Sequence, residues 1–596
     1  MSYRFGDFEL DENARSLMLR GEIEDVQPRV LELLCYLVKH AGRVVPKDEL
    51  LDELWPGVIV TESSLQRAAS LARRTLTEGG LGHAIQNFPK RGYRFALDQS
   101  NVAAFTPNAG VHGHALAAAK QAALNRNWES ASAGFAAVAA TTALGADDLE
   151  LWALSDECRG RPVEAIPALT RAVELHLAAG RNDRAGRAAV TLAKVELERA
   201  ASARAQGWIE RAKEMLAGVD DPGVHAYLLW MQSRLATFGG RAESALDLAS
   251  RAAEYAERSG DRGLRALTLS YQGFYELSLG RVDEGSRLQN HAAAIALSSQ
   301  DVDPITGSLI YCNILWSCRT YADWERALQW SDGFEEWCRA SFAENPGACD
   351  LHRAEILGAR GTLTEAFEKI TIALPKLSVE EAWSIGEGYR VRGDIAGMLG
   401  NMADAKSDYE MAYSLGWDAE PGNAILLSEQ GEHAAALAAL DRVLEGRSWF
   451  HLQRRGVLLA NAARIAARAG NAERAEAYLG QLAADEARWS QPTIRALVAE
   501  ARADLAPAGD RAALQLRLLA RQLWTSARID YHATRMRLEL AQAYLAMGDV
   551  AGADAELAAA ERSAQRIASP RLISDCARIR RDTAPRRQAV VAAAHR

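Results

Sequence analysis

Ser63-Ser64-Leu65-Gln66-Arg67-Ala68-Ala69-Ser70-Leu71-Ala72-Arg73-Arg74-Thr75-Leu76, followed by Phe88-Pro89-Lys90-Arg91-Gly92-Tyr93-Arg94-Phe95, decides how the N-terminal part of this chain folds. Leu65, Ala68, Ala69, Ala72 and Leu76 recur at helical spacing and make one apolar stripe. Gln66, Arg67, Ser70, Arg73 and Arg74 project from the other faces. The second stretch has aromatic residues on both sides of Lys90-Arg91-Gly92, a turn between two short strands predicted near 84–87 and 93–97.

Working outward, Phe5, Phe8 and Leu10, then Leu17 and Leu19, form alternating runs around Asp11-Glu12-Asn13, so a small sheet comes first. From Gln27 to His40, Val30, Leu33, Leu34, Leu37 and Val38 share a helical face that Ala41-Gly42 stops. Pro46 suits the first turn of a second helix, which Pro56-Gly57 ends. Thr61 is then a candidate N-cap for the third. Residues 1–97 carry 13 basic and 14 acidic side chains, yet Ser63 to Leu97 holds Arg67, Arg73, Arg74, Lys90, Arg91 and Arg94 against Glu78 alone. A basic helix beside a basic turn matches what duplex DNA demands. Phosphate neutralisation supplies affinity, and side chains at base edges supply discrimination.

The order Tyr3-Arg4-Phe5-Gly6-Asp7-Phe8-Glu9-Leu10, Val30-Leu31-Glu32-Leu33-Leu34-Cys35-Tyr36-Leu37, Glu49-Leu50-Leu51-Asp52-Glu53-Leu54-Trp55-Pro56, helix and wing resembles the OmpR/PhoB-type winged-helix DNA-binding domain of bacterial transcriptional regulators. The resemblance implies that residues 61–77 are the recognition helix and 88–94 the wing. Gln66, Arg67, Ser70 and Arg73 would then reach base edges or the groove, Arg74 a phosphate, and Lys90 and Arg91 phosphate or minor groove. Ser63, Ser64 and Tyr93 complete the DNA-facing set. The chain starts at Met1 on the first strand with no acidic phosphorylation domain ahead of it, so control is expected from the C-terminal side.

Residues 98–114 lack periodicity and read as a linker. Beyond them, from 115 to 584, a Gly-x4-Ala signal recurs at Gly160/Ala165, Gly240/Ala245, Gly361/Ala366, Gly400/Ala405, Gly431/Ala436, Gly470/Ala475 and Gly548/Ala553. Weaker versions stand at Arg126/Ala131, Ala200/Ala205, Gly280/Gly285, Ala322/Ala327 and Gly509/Leu514, most starts lying 39 to 42 residues apart. Glycine closes one helix in the left-handed conformation, and a small residue five positions later admits the next helix closely. Each unit is therefore a helical hairpin, in a pattern similar to the tetratricopeptide repeat with a longer period. The fold class expected is mainly α: an α+β winged helix, then a right-handed α-solenoid of about ten to twelve units, with 585–596 a flexible tail.

Tyr311, Trp316, Tyr321, Trp324, Trp330, Phe334 and Trp337 crowd one stretch of the repeats. They either line a ligand or partner surface or fill one large repeat core. Cys312, Cys318, Cys338 and Cys349, with His352, lie in the same region. They read as reduced buried thiols or as a metal or redox sensor, and no Cys-x2-Cys pair favours the second. Loops that cradle nucleotide phosphates, nucleophile elbows and zinc-protease motifs do not occur, so neither catalysis nor a cofactor is expected. The whole chain carries a net charge of −9 and is 48% hydrophobic, and it has no apolar run of membrane-spanning length. These readings describe a cytoplasmic one-component transcriptional regulator. Its partners would be double-stranded promoter DNA and a protein, peptide or small-molecule effector, with RNA polymerase and a second copy on DNA as further candidates. The alternative is an interaction scaffold whose winged helix no longer binds DNA.

Overall fold

The computed structural model describes the chain except residues 1, 12–14, 21, 25, 56–59, 61, 90, 97–102, 105–109, 299–301, 508–509 and 595–596. The Pro56-Gly57 stop, the Thr61 cap and the Lys90 contact fall outside the described residues. Two compact units emerge, 1–119 with 134–142, and 120–133 with 143–596.

In the first unit, strands β1 (Ser2–Phe5), β2 (Phe8–Asp11), β3 (Ser16–Leu19) and β4 (Glu22–Ile23) form an antiparallel meander. Helix α1 (Pro28–Lys39) follows, then β5 (Val45–Pro46), α2 (Lys47–Leu54) and α3 (Glu62–Glu78). Strands β6 (Ile85–Phe88) and β7 (Gly92–Phe95) close a second sheet in the order β5-β7-β6. Pro46 ends β5 and precedes α2 instead of opening its first turn, because its extended backbone pairs with Gly92. Phe5, Phe8 and Phe95 pack with Leu33, Leu34, Leu37 and the α3 stripe into one core. Within the expected linker, Ala103–Ala104 pairs with β1 and the first repeat helix, Gly110–Leu124, begins before residue 115.

The second unit is a stack of helical hairpins. Every described position of the Gly-x4-Ala register has left-handed backbone, with φ from 54° at Ala322 to 98° at Gly400, Arg126 and Ala200 included. The following N–H returns to the carbonyl five residues back, as from Arg241 to Ala236 (3.0 Å) and from Asn401 to Ala396 (2.9 Å). This closes the orphan carbonyls of the first helix. The small residue five positions on is buried in each case, Ala165, Ala245, Ala366 and Ala475 among them. At Gly285 a Cβ would lie 2.6 Å from the Gly273 carbonyl, so two helices meet there at backbone distance and alanine does not fit. The last helix, Pro570–Ala594, carries backbone helix through most of the segment expected to be a tail, with Pro570 in its first turn.

The stack also winds back on itself. Gln453 Nε2 donates to Ser278 Oγ (2.9 Å) and its Oε1 accepts from Thr320 Oγ1 (2.6 Å). Ser569 Oγ donates to the Met398 carbonyl (2.8 Å), and Trp128 Nε1 to the Ser341 carbonyl (2.8 Å). These partners stand 133 to 213 residues apart, about three to five hairpin lengths. Hairpin turns bear on the neighbouring superhelical turn: a Cβ on Gly400 would lie 3.2 Å from Arg571, and one on Gly280 2.9 Å from Arg488. The glycines thus satisfy both a left-handed φ and an inter-turn approach. Among the described residues no helix is long and apolar enough to cross a membrane.

Candidate functional site

Helix α3 buries Leu65, Ala68, Ala69, Ala72 and Leu76. Ser63, Gln66, Arg67, Ser70 and Arg74 are exposed on the opposite face at i, i+3, i+4, i+7 and i+11, while Ser64 is half-buried at its edge. At the helical rise this face runs about 16 Å, roughly five base-pair steps. Glu62, in the first turn, is held by Lys47 Nζ at 2.6 Å, which keeps that carboxylate compensated. Arg67 and Arg74 have no hydrogen bond or ion pair through their side chains among the described residues.

The wing is the β6–β7 hairpin, in register Asn87 with Tyr93 and Phe88 with Gly92. Arg91 N–H donates to the Phe88 carbonyl (2.9 Å) to make the turn, and the Arg91 side chain is exposed. A Cβ on Gly92 would fall 1.8 Å from the Val45 carbonyl oxygen, so only glycine lets β5 pair against the base of the wing.

Two DNA-facing assignments change. Tyr93 is 2% exposed and belongs to the core, because β7 is the central strand of its sheet and the inward face of the alternation falls on it. Arg73 donates through Nε to the Ile85 carbonyl (2.8 Å) and lies over the Tyr93 ring at 5.7 Å. It fastens α3 to the wing. Arg94 is likewise engaged, with Gln86 (2.7 Å) and the Phe88 ring. Arg67, Arg74 and Arg91 remain as the exposed uncompensated cations of this surface among the described residues.

Residues 21–95 match the family model described as "Transcriptional regulatory protein, C terminal". The N-terminal domain is an OmpR/PhoB-type winged helix. The chain is 29% identical over 96 residues to the transcriptional activator CadC of Escherichia coli (strain K12), covering 16% of this chain and 19% of that protein. It is 36% identical over 92 residues to the transcriptional regulator HilA of Salmonella typhimurium (strain LT2), covering 15% and 16%. The solved DNA-binding domain of E. coli CadC aligns at 26% identity and a TM-score of 0.16, covering 17% of this chain and 96% of that one. The chain spans less than a fifth of the length of the curated relatives it matches. The repeat region is tetratricopeptide-like, as its left-handed hairpin turns and buried small residues require.

Inside the repeats the aromatic stretch divides instead of forming one surface. Tyr311 packs with Phe334 and Trp337 (ring centres 4.8 and 5.7 Å). Trp316 turns to Trp383, Trp417 and Trp449. Tyr321 stacks on Trp489 at 5.6 Å, and Trp330 Nε1 donates to Asn290 Oδ1 (3.2 Å). Of the six residues proposed as a surface, Trp324 alone lines the inner cavity of about 220 Å³. The physical reason is helical phase: these positions point to different neighbours, several from a different superhelical turn. The thiols of Cys338 and Cys349 lie 3.1 Å apart in the core, and burial pushes the Cys318 thiol up to about 12. His352 does not join them, since its Nδ1 accepts from Arg319 Nη1 at 2.6 Å.

Sequence reading missed a buried charge lattice in this interior. Arg319 meets Glu355 and Glu387, and Arg390 meets Glu355, Glu387 and Asp394. Its members recur at the same phase of successive first helices, a signal visible only once the hairpin register is known.

Buried titratable groups make stability pH-dependent in two directions. Burial, then the Arg319 charge, holds His352 well below its ordinary value, and burial with Arg535 does the same for His532. Below pH about 6.5 the unfolded chain binds protons that the folded chain refuses, so stability rises with pH there. Burial, then the Glu198 carboxylate, raises Glu381 to about 8, and burial raises Glu380 to about 7. Between pH about 4.5 and 8 the folded chain holds protons that the unfolded chain has lost, so these two groups make stability fall as pH rises through that window and add no slope above it. Above pH about 6.5 the histidine contribution is complete, so the thermal midpoint followed by helical circular dichroism is expected to fall between pH about 6.5 and 8. Glu380→Gln with Glu381→Gln should remove this fall, worth roughly 1–3 kcal/mol over that range, and steepen the rise below it. An unaltered fall over that range would refute the assignment.

Proposed function

We propose that this protein is a cytoplasmic one-component transcriptional regulator. Its winged helix binds double-stranded promoter DNA, and its repeat domain receives a regulatory partner or ligand. The observation that carries the DNA reading is the row Ser63, Gln66, Arg67, Ser70 and Arg74, exposed on one face of α3 beside a wing that presents Arg91. Hydroxyl, amide and guanidinium groups at that spacing can meet base edges and phosphates along one groove. Ser64 and Lys90 stand with this set, and Arg73 acts by positioning it. The similarity of the N-terminal domain to those of transcriptional regulators supports the same reading. Self-association on DNA and contact with RNA polymerase are the proposed means by which binding is turned into regulation.

Selection of genomic DNA fragments by the purified full-length chain tests this. A shared sequence enriched by the native protein, and lost from Arg67→Ala/Arg74→Ala, is the expected result. Equal enrichment by both proteins would overturn the assignment of the surface. No enrichment by either would replace the regulator with the scaffold.

A further inference from the structure

We infer that the inner cavity of the repeat domain binds a small anionic molecule, a carboxylate or phosphate carrying an apolar body, with Arg454 as the group that meets the anion. Arg454 sits on the helix Trp449–Arg468, whose cavity-lining residues Arg454, Val457, Asn461 and Arg464 recur at i, i+3, i+7 and i+10. Arg454 is 7% exposed, yet its side chain makes no hydrogen bond or ion pair among the described residues; its guanidinium carbon lies 4.6 Å from the centre of the Phe450 ring. A buried guanidinium without a carboxylate is costly. Such a group in the wall of a cavity asks for an anion from outside.

The neighbouring acids cannot serve it. Glu387 receives Arg390 Nε at 2.7 Å and Arg319 Nη2 at 3.0 Å. Asp394 is taken by Arg390 and by the Tyr409 hydroxyl (2.9 Å), and Glu429 by Arg571 (2.6 Å). Every carboxylate lining the cavity is therefore compensated, and none stands free to repel an incoming anion. Burial, followed by the like charge of Arg390, lowers Arg454 to about 10, the direction expected of an undercompensated cation. The rest of the wall includes Trp324, Ile425, Val457 and Leu497, which supply apolar surface for the body of the ligand, and the volume of about 220 Å³ sets its size. Anion recognition by a buried arginine and apolar enclosure of the remainder are the two terms of the binding.

This inference rests on the reading that the repeat domain receives a ligand and not on DNA binding, so its failure would leave the DNA-selection result untouched. The test is calorimetric titration of the full-length protein with phenylacetate, phenyl phosphate and the neutral isostere phenylacetamide. Preference for an anion over the amide by about tenfold or more is expected, as a charge-assisted hydrogen bond provides, and the stronger of the two anions tells carboxylate from phosphate. Arg454→Met keeps the side-chain volume and should lose the preference, while Arg454→Lys should keep part of it. Thermal unfolding separates function from structure: removing an unpaired buried charge should leave the Arg454→Met midpoint unchanged or raised. The inference is overturned by equal binding of acid and amide, by full anion binding in Arg454→Met, or by no anion binding at millimolar concentration.

Discussion

Arg319→Met should destabilise the repeat domain by about 3–5 kcal/mol, the usual cost of breaking one partner out of a buried ion-pair network. The Arg319 side chain is 1% exposed and joins Glu355, Glu387 and the neutral ring of His352. Methionine fills much of the same space, so the loss is chiefly electrostatic: Glu387, itself 1% exposed, would keep only Arg390. The charge left behind, more than the bond removed, sets the magnitude. The double variant Arg319→Met/Glu387→Met therefore should be more stable than the single one, since it removes the under-compensated carboxylate together with its partner. Denaturant unfolding of the full chain measures both. A single variant within about 1 kcal/mol of the native protein would mean that the lattice contributes little.

The second large effect concerns DNA. Arg67→Ala/Arg74→Ala/Arg91→Ala is expected to weaken binding to the selected fragment by at least about 100-fold, since each base-edge or phosphate contact is worth roughly 1–3 kcal/mol. The logarithmic salt dependence should flatten by up to about 2.7, near 0.9 for each phosphate neutralised. Arg73→Ala should behave differently. Its guanidinium ties α3 to the Ile85 carbonyl and covers Tyr93, so its loss should lower the unfolding midpoint of the winged helix and leave the salt slope nearly unchanged. A large change of slope on Arg73→Ala, with the triple variant unaffected, would reverse the roles assigned to these arginines.

The contrast between Arg73 and Arg74 shows where sequence reading stopped. Both are basic, adjacent and on the recognition helix, and helical phase separates them only by a turn of 100°. One points to the wing and the other to solvent, and that depends on where β6 lies. Tyr93 is decided in the same way. The family resemblance puts it in the DNA-facing set, but the pairing of β7 between β5 and β6 puts this ring inside.

The hairpin register, by contrast, was legible down to its exceptions. Arg126, Ala200 and Ala322 take the left-handed turn without glycine, and their positions were marked by the buried small residue five places on. Helix capping and close helix approach are local demands, written within one 40-residue period, so a single sequence displays them. The same is true of the α3 stripe and of the two-strand wing. Superhelical winding is different. Gln453 with Ser278, Ser569 with Met398 and Trp316 with Trp449 meet because small rotations between hairpins add up over about three to five units. No local pattern encodes that sum. The sequence by itself therefore determined the winged helix, the repeat and the basic face; tertiary structure alone decided which arginines are engaged, which aromatic rings share a core, and that Arg454 stands buried and unpaired beside a cavity.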